Sequence, residues 1–290
     1  MSVTTNNSVG EVQSASRGAR VSSRVEVGVV GIAATRTGPC AAWRAMDDYA
    51  TLIADRTPLR PVRLPLPSGD VRTVSDRIIG VSSTASVLFV VGLGPSESAA
   101  VQRRVADYGG PLVITELDVV TVALAAAATA ALRSQVAVPR RGGIVVTDIE
   151  SAPQLGPILF AVSGRSVTGW HERDASAYPL RLAVTRDDVL IDLAGTATPS
   201  IAPRRTVTLP TALFDYGALV LPGLLSALCR SGKAVLTLDI LASCARAVAL
   251  LTSPDGVLPD LSHRLLIPAV ARRVSKTLSE RHPPGSRPQR

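Results

Sequence analysis

A chain of 290 residues is long enough for two modest domains with a sizeable buried core. With 46% hydrophobic, 19% charged and only 3% aromatic residues, it reads as a soluble globular α/β protein whose core must be built from Val, Leu, Ile and Ala. The net charge of +8 and pI near 10.2 would suit nucleic acid, but lysine occurs only at 233 and 276 and the arginines are spread along the chain, so a solvated basic surface is preferred; the nucleic-acid reading survives only at the basic C-terminal end, Arg272, Arg273, Lys276, Arg281, Arg287 and Arg290.

Residues 1–24 carry Ser, Asn, Thr and Gly without periodicity, which predicts a disordered arm with no apolar stretch for a secretory signal. Residues 24–33 (RVEVGVVGIA) read as a strand. A turn at Thr37, Gly38 and Pro39 follows, then a helix over 40–54 with Trp43, Met46, Ala50 and Ile53 on its buried face. Prolines at 58, 61, 65 and 67 make 56–75 an extended connector or edge strand.

The continuous apolar run 85–92 (ASVLFVVG) predicts a strand buried on both faces. It leads through Gly92, Leu93, Gly94 and Pro95 into a helix over 96–108, with Ser96 as N-cap and Glu97 favouring the positive helix end. Gly92, Gly94 and Ser96 form a candidate anion loop, although a tight strand-to-helix turn explains a lone G-x-G equally well. A strand over 111–115 precedes Asp118, read as the cap of a helix over 119–133 that is apolar nearly all round and so deeply buried. That run is too short to cross a bilayer, and no membrane is expected.

Residues 141–164 (RGGIVVTDIESAPQLGPILFAVSG) organise the second half. They read as a strand over 143–147, an acidic turn, and a short helix ending at Ser163 and Gly164, with a second strand over 166–170: the opening unit of a doubly wound, mostly parallel Rossmann-like sheet. Where such a fold uses G-x-G-x-x-G to let backbone amides approach a pyrophosphate, this turn has Asp148, Ile149, Glu150, Ser151, Ala152 and Pro153. The missing glycines and the like charge disfavour NAD or NADP. Were a dinucleotide bound, Asp148 would lie at the turn, and Glu172 or Asp174 after the second strand would accept from a ribose.

Residues 188–193 (DVLIDL) predict a buried central strand, 210–228 an apolar patch, and 237–251 a helix capped by Thr237 with Leu238, Leu241, Ala245 and Val248 on one face. A turn at 253–256 and a helix over 268–279 opened by Pro268 complete the domain, followed by a disordered tail over 280–290. Cys40, Cys229 and Cys244 stand far apart without a C-x-x-C pair, which fits neither a zinc site nor a disulfide framework and suits the cytoplasm. No G-x-S-x-G elbow accompanies the three histidines, so hydrolase chemistry is not supported.

The order of these pieces resembles bacterial malic enzymes. LVLPGLLSAL (219–228) looks like that family's "FPGIFRGAL" segment. TLDILASCARAVALL followed by GVLPDLSHRLLIPAVARRV resembles its helix, "LLP" turn and closing "VAPAVAxAV" helix. Residues 111–133 sit where the family has a strand, the "HDDQHGTA" motif and an apolar helix, and 188–198 resembles the strand carrying "ADVxIGxS". The likeness covers 80–276, and 25–55 faintly. It implies a smaller N-terminal α/β region over 25–135, similar to the family's substrate domain, and a Rossmann-like domain over 136–279.

It also implies a divalent metal held by three carboxylates, a tyrosine acid, a lysine base and a nicotinamide cofactor. The sequence departs at each. The first Glu-Asp pair is replaced by Gly92, Leu93 and Gly94, the paired aspartates by Thr115 and Glu116, and the histidine-glycine step by Asp118 and Val119. Glu116 and Asp118 are the candidate metal ligands left, against the simpler readings of a solvated loop acid and a helix cap. No lysine precedes Lys233, and residues 35–40 (TRTGPC) hold no tyrosine; Tyr49 is the nearest phenol and reads as packing.

The expectation is a malic-enzyme-like pseudoenzyme that has lost malate oxidation and serves a binding or regulatory role as a cytoplasmic homo-oligomer, open to a small-molecule ligand. The alternatives are an NAD(P)-dependent oxidoreductase with displaced catalytic residues and an arginine-mediated nucleic-acid-associated protein. Any ligand is expected where the turns at 92–94, 115–118 and 148–153 meet, at the carboxyl ends of the strands.

Overall fold

The computed structural model describes residues 26–33, 39–81, 85–133, 142–185, 188–198, 206–231 and 235–281. The N-terminal arm, the turn at 37–38, Lys233 and the tail beyond 281 lie outside the described residues.

Among the described residues eight parallel strands form two four-stranded sheets. The first draws on β1 (Glu26–Ile32), α1 (Pro39–Arg56), β2 (Arg60–Leu66), α2 (Val71–Gly80), β3 (Val87–Val91), α3 (Pro95–Asp107) and β4 (Leu112–Thr115), in strand order β2-β1-β3-β4. From it the chain runs into α4 (Glu116–Arg133). The second sheet draws on β5 (Ile144–Thr147), α5 (Leu155–Ser163), β6 (Val167–Trp170), α6 (Leu180–Ala183), β7 (Val189–Asp192) and β8 (Thr206–Thr208), in order β6-β5-β7-β8. The helices α7 (Leu213–Ser231), α8 (Leu238–Leu251) and α9 (Leu266–Arg281) close the molecule. This is the expected α/β class with parallel, Rossmann-like sheets.

Alternation along the strands explains the layering. Val87, Phe89 and Val91 enter one large core and Leu88 and Val90 the opposite one. In the second sheet Ile144, Val146, Val189 and Ile191 join that same large core, while Val145 and Leu190 meet Trp170 and Leu180 behind. Both sheets are thus covered on both faces, as all-parallel sheets require. The shared core runs through α4, on which every residue from Asp118 to Ala128 is buried. Its all-round apolar character is what a helix between two sheets needs, and it leaves none of that stretch as a surface for self-association.

Several local expectations are corrected. Trp43 is 39% exposed, and Tyr49, fully buried, takes the place expected of it on α1. The proline-rich connector does form the edge strand β2, but α2 follows at once, capped by Asp70, which accepts from the Thr73 N–H at 2.8 Å. The N-cap of α3 is Gly94, not Ser96, which sits exposed in the first turn. The apolar patch at 210–228 is a helix, α7, that continues through Pro222. By length and composition α7 could cross a bilayer, yet two-thirds of it (67%) is buried inside the fold. Thr237 stands at the cap of α8, but its buried hydroxyl has no partner among the described residues. The last helix starts at Leu266, which puts Pro268 in its first turn.

Candidate functional site

The carboxyl ends of both sheets face a common cavity of about 230 Å³. Its walls are Leu93 and Pro95 after β3, Glu116, Leu117, Val120 and Leu124 on α4, Ser151 and Ala152 after β5, Leu193 after β7, and Leu209 and Leu213 before and at the start of α7. This is where the three turns were expected to meet. Its wall is nearly all apolar, and among the described residues Glu116 is the single ionisable side chain in it.

Glu116 is half-buried, and the Tyr49 hydroxyl donates to its Oε1 at 3.1 Å. Burial holds the Glu116 carboxyl above the ordinary carboxylate range, opposed only by that hydrogen bond. Tyr49 is pushed up too, by burial first and by the adjacent Glu116 carboxylate second. Its ring packs edge-on against Phe89, with centroids 4.7 Å apart, and is tilted on Phe214 at 4.9 Å. The sequence signal for this role was the spacing of Met46, Tyr49, Ala50 and Ile53, which sets the phenol on the inward stripe of α1.

Asp118 stands elsewhere. Two residues apart on a helix, side chains point roughly 200° apart, and Asp118 turns away from the Glu116 cavity. It joins Thr115 in a reciprocal cap: Oδ2 accepts from the Thr115 N–H at 2.7 Å and hydroxyl at 2.8 Å, while Thr115 Oγ1 accepts from the Asp118 N–H at 3.4 Å. The helix therefore begins two residues before Asp118, which is the partner of the cap and not the cap itself. Glu116 and Asp118 do not converge, and among the described residues no three His, Cys, Asp or Glu side chains stand together as a metal would need. The residues present do not fit the three-carboxylate metal implied by the resemblance.

The anion loop is already occupied by the chain's own charge: Glu97 Oε2 accepts from the Gly94 N–H at 2.9 Å, placing a carboxylate at the start of α3. Gly92 has a φ of 91° and Ser96 is exposed beside it. Asp148, exposed, adopts a left-handed φ of 49° in the turn after β5. Glu150 follows it, 3.8 Å from Arg173, which lies between the exposed Glu172 and Asp174. These acids lie outside the cavity wall, and two carboxylates at the strand-helix turn do not fit a pyrophosphate.

Sequence reasoning missed the network that fills the switch point between β5 and β7. Thr147 donates to Asp192 Oδ1 at 2.8 Å and accepts from the N–H groups of Leu193 and Ala194 at 2.9 and 3.0 Å. Asp192, 4% exposed, also accepts from the N–H groups of Thr196 at 3.1 Å and Ala197 at 2.8 Å. In open parallel sheets this crevice is where ligands collect; here its polar groups are satisfied internally.

No family model matches the chain and no curated protein sequence is similar to it. Solved structures are. The NAD-dependent malic enzyme of Thermotoga maritima superposes with a TM-score of 0.69 at 15% identity, over 87% of this chain and 84% of that one. The chain has the malic enzyme fold. The malic enzyme of Entamoeba histolytica matches with a TM-score of 0.70 at 13% identity over 88% of this chain and 69% of that one. That of Pyrococcus horikoshii gives 0.68 at 13% over 88% and 76%. Within this malic enzyme fold, the Glu116 cavity lies between the two sheets at their carboxyl ends.

Proposed function

We propose that this chain is a malic-enzyme-like protein that no longer oxidises malate and instead binds a small, mainly apolar molecule in the cavity beside Glu116. The observation that carries this reading is the commitment of Glu116 to Tyr49 in a wall that is otherwise apolar but for Ser151. A dianionic hydroxy acid would lose its hydration there with no cation to compensate, whereas a neutral ligand would keep the leucines covered and share one hydrogen bond with the carboxyl. The lack of any lysine before Lys233 supports the same conclusion.

The reading includes a cytoplasmic homo-oligomer. Phe160 on α5 and Leu250 on α8, 64% and 60% exposed on helices packed against each other, support self-association. Size-exclusion chromatography with light scattering would test it.

Thermal unfolding with NAD, NADP, manganese and malate, set beside neutral probes such as cyclohexanol and benzyl alcohol, tests the function. A ligand that binds only the folded state raises the midpoint. The proposal expects a rise with the neutral probes that Glu116→Ala reduces, and none with the other four. A rise with a nicotinamide cofactor, or with manganese and malate together, would favour an oxidoreductase with displaced residues.

A further inference from the structure

A second cavity, of about 400 Å³, opens along the uncovered side of β4, the edge strand of the first sheet, and is lined by Gln102, Arg103, Val113, Asp118, Leu236 and Leu241 among others. Asp118 is 5% exposed, and all its donors converge on one oxygen: besides Thr115, Gln102 Nε2 reaches Oδ2 at 2.7 Å. Among the described residues no donor bonds Oδ1 and no cation pairs with the carboxylate. The same Gln102 amide donates to the Val113 carbonyl at 3.2 Å. Both its partners are acceptors, so the NH2 group must face them, and the amide oxygen is left as a further acceptor. One residue along α3, Arg103 is exposed and makes no ion pair among the described residues.

We propose that this cavity binds a small zwitterion of the amino-acid type, with its ammonium on Asp118 Oδ1 and the Gln102 amide oxygen, its carboxylate at Arg103, and an apolar side chain against Leu236 and Leu241. A carboxylate this deeply buried is held at least cost when a cation or a further donor meets its free oxygen. Burial pushes the Asp118 carboxyl up in spite of its three donors, the signature of an acid without a cation, and an ammonium supplies that cation. Arg103 offers a fork suited to a carboxylate at the mouth. The site is separate from the Glu116 cavity and stands whether or not that cavity binds a neutral ligand.

The test uses the full chain and thermal unfolding at neutral pH with three probes: L-leucine, isoamylamine, which lacks the carboxylate, and isocaproate, which lacks the amine. Leucine is expected to raise the midpoint most, isoamylamine less and isocaproate not at all. Arg103→Ala, an exposed change, should weaken leucine about tenfold, the worth of one charge-assisted bond, and leave isoamylamine unaffected. Asp118→Asn should abolish binding of both amines. Because Asp118 also holds the start of α4, the Arg103 variant decides the matter if the Asp118 variant does not fold. A midpoint unmoved by leucine, an equal response to isocaproate, or leucine binding indifferent to Arg103→Ala overturns the proposal.

Discussion

The Tyr49 hydroxyl donates to Glu116 Oε1 across 67 positions of sequence, joining α1 to the start of α4 behind the cavity wall. Glu116 occupies the second of the two places where the resemblance puts paired aspartates, and the first is Thr115, whose hydroxyl and N–H serve Asp118 instead. The one carboxyl left facing the cavity therefore answers to a phenol from the same chain. This arrangement suits a recognition group more than a ligand of a cation.

Glu116 gives the protein a defined pH dependence. Its folded carboxyl titrates above the unfolded one because burial disfavours the charge, so the folded state holds a proton over a window in which the unfolded state has lost it. Stability from this group is complete below the unfolded carboxylate range and is lost as pH rises through the folded value. Glu116→Gln should match the parent below about pH 4 and gain on it as pH rises toward 8. Urea unfolding of both proteins across that range measures the difference, in which the exposed acids common to both cancel. A gap that does not change with pH would remove Glu116 from the titration.

The space around the Tyr49 hydroxyl comes from Gly217 on α7: a methyl group there would strike the phenol oxygen. Tyr49→Phe removes one hydrogen bond and should destabilise by about 1 kcal/mol. Gly217→Ala must displace the ring as well as the bond and should cost more, despite the better helix propensity of alanine. Chemical denaturation of the two single variants and of the double variant tests this. If Gly217→Ala acts by displacing the phenol, the two losses overlap and sum to less than additivity predicts.

The Thr147 hydroxyl closes the switch point between β5 and β7. Thr147→Val leaves the N–H groups of Leu193 and Ala194 without their acceptor and takes one donor from Asp192, which should destabilise by about 1–3 kcal/mol. Thr147→Ser keeps the hydroxyl and should recover most of the loss. A Thr147→Val variant as stable as the parent would show that the hydroxyl and its network contribute nothing at the switch point.

What could be read in the sequence followed periodicity. The Val and Ile runs of β3, β5 and β7, the buried stripe of α4 and the glycine that ends α5, with a φ of 64°, all announce themselves within a few residues. The continuous helix α7 did not, because Gly217, Pro222 and Gly223 are breakers in isolation, and only packing against α9 and the central core overrides them. The strand β8, with three residues, is too short to carry a pattern. The candidate sites were the least legible. Glu116 and Asp118 look like a pair in sequence, yet a helix sends them to opposite sides, and their partners Tyr49 and Gln102 come from elements brought close only by the fold.

The two glycines of the loop after β3 separate structure from chemistry. Gly92 holds a φ of 91°, and a methyl group there would strike the Ile32 carbonyl oxygen at the end of the neighbouring strand β1. Gly94 has an ordinary extended backbone, with φ −72° and ψ 170°, and a methyl group there would come no closer than 3.4 Å to the Glu97 carboxylate. Gly92→Ala should therefore destabilise by about 1–3 kcal/mol, from the strained left-handed backbone and the forced shift of a β1 carbonyl. Gly94→Ala should change stability by less than about 1 kcal/mol, since the helix start keeps its Glu97 cap. Denaturation midpoints of the two variants, measured side by side, test whether the first glycine serves backbone geometry alone. Comparable losses in both would mean that the loop is constrained as a whole, as an anion-binding turn is.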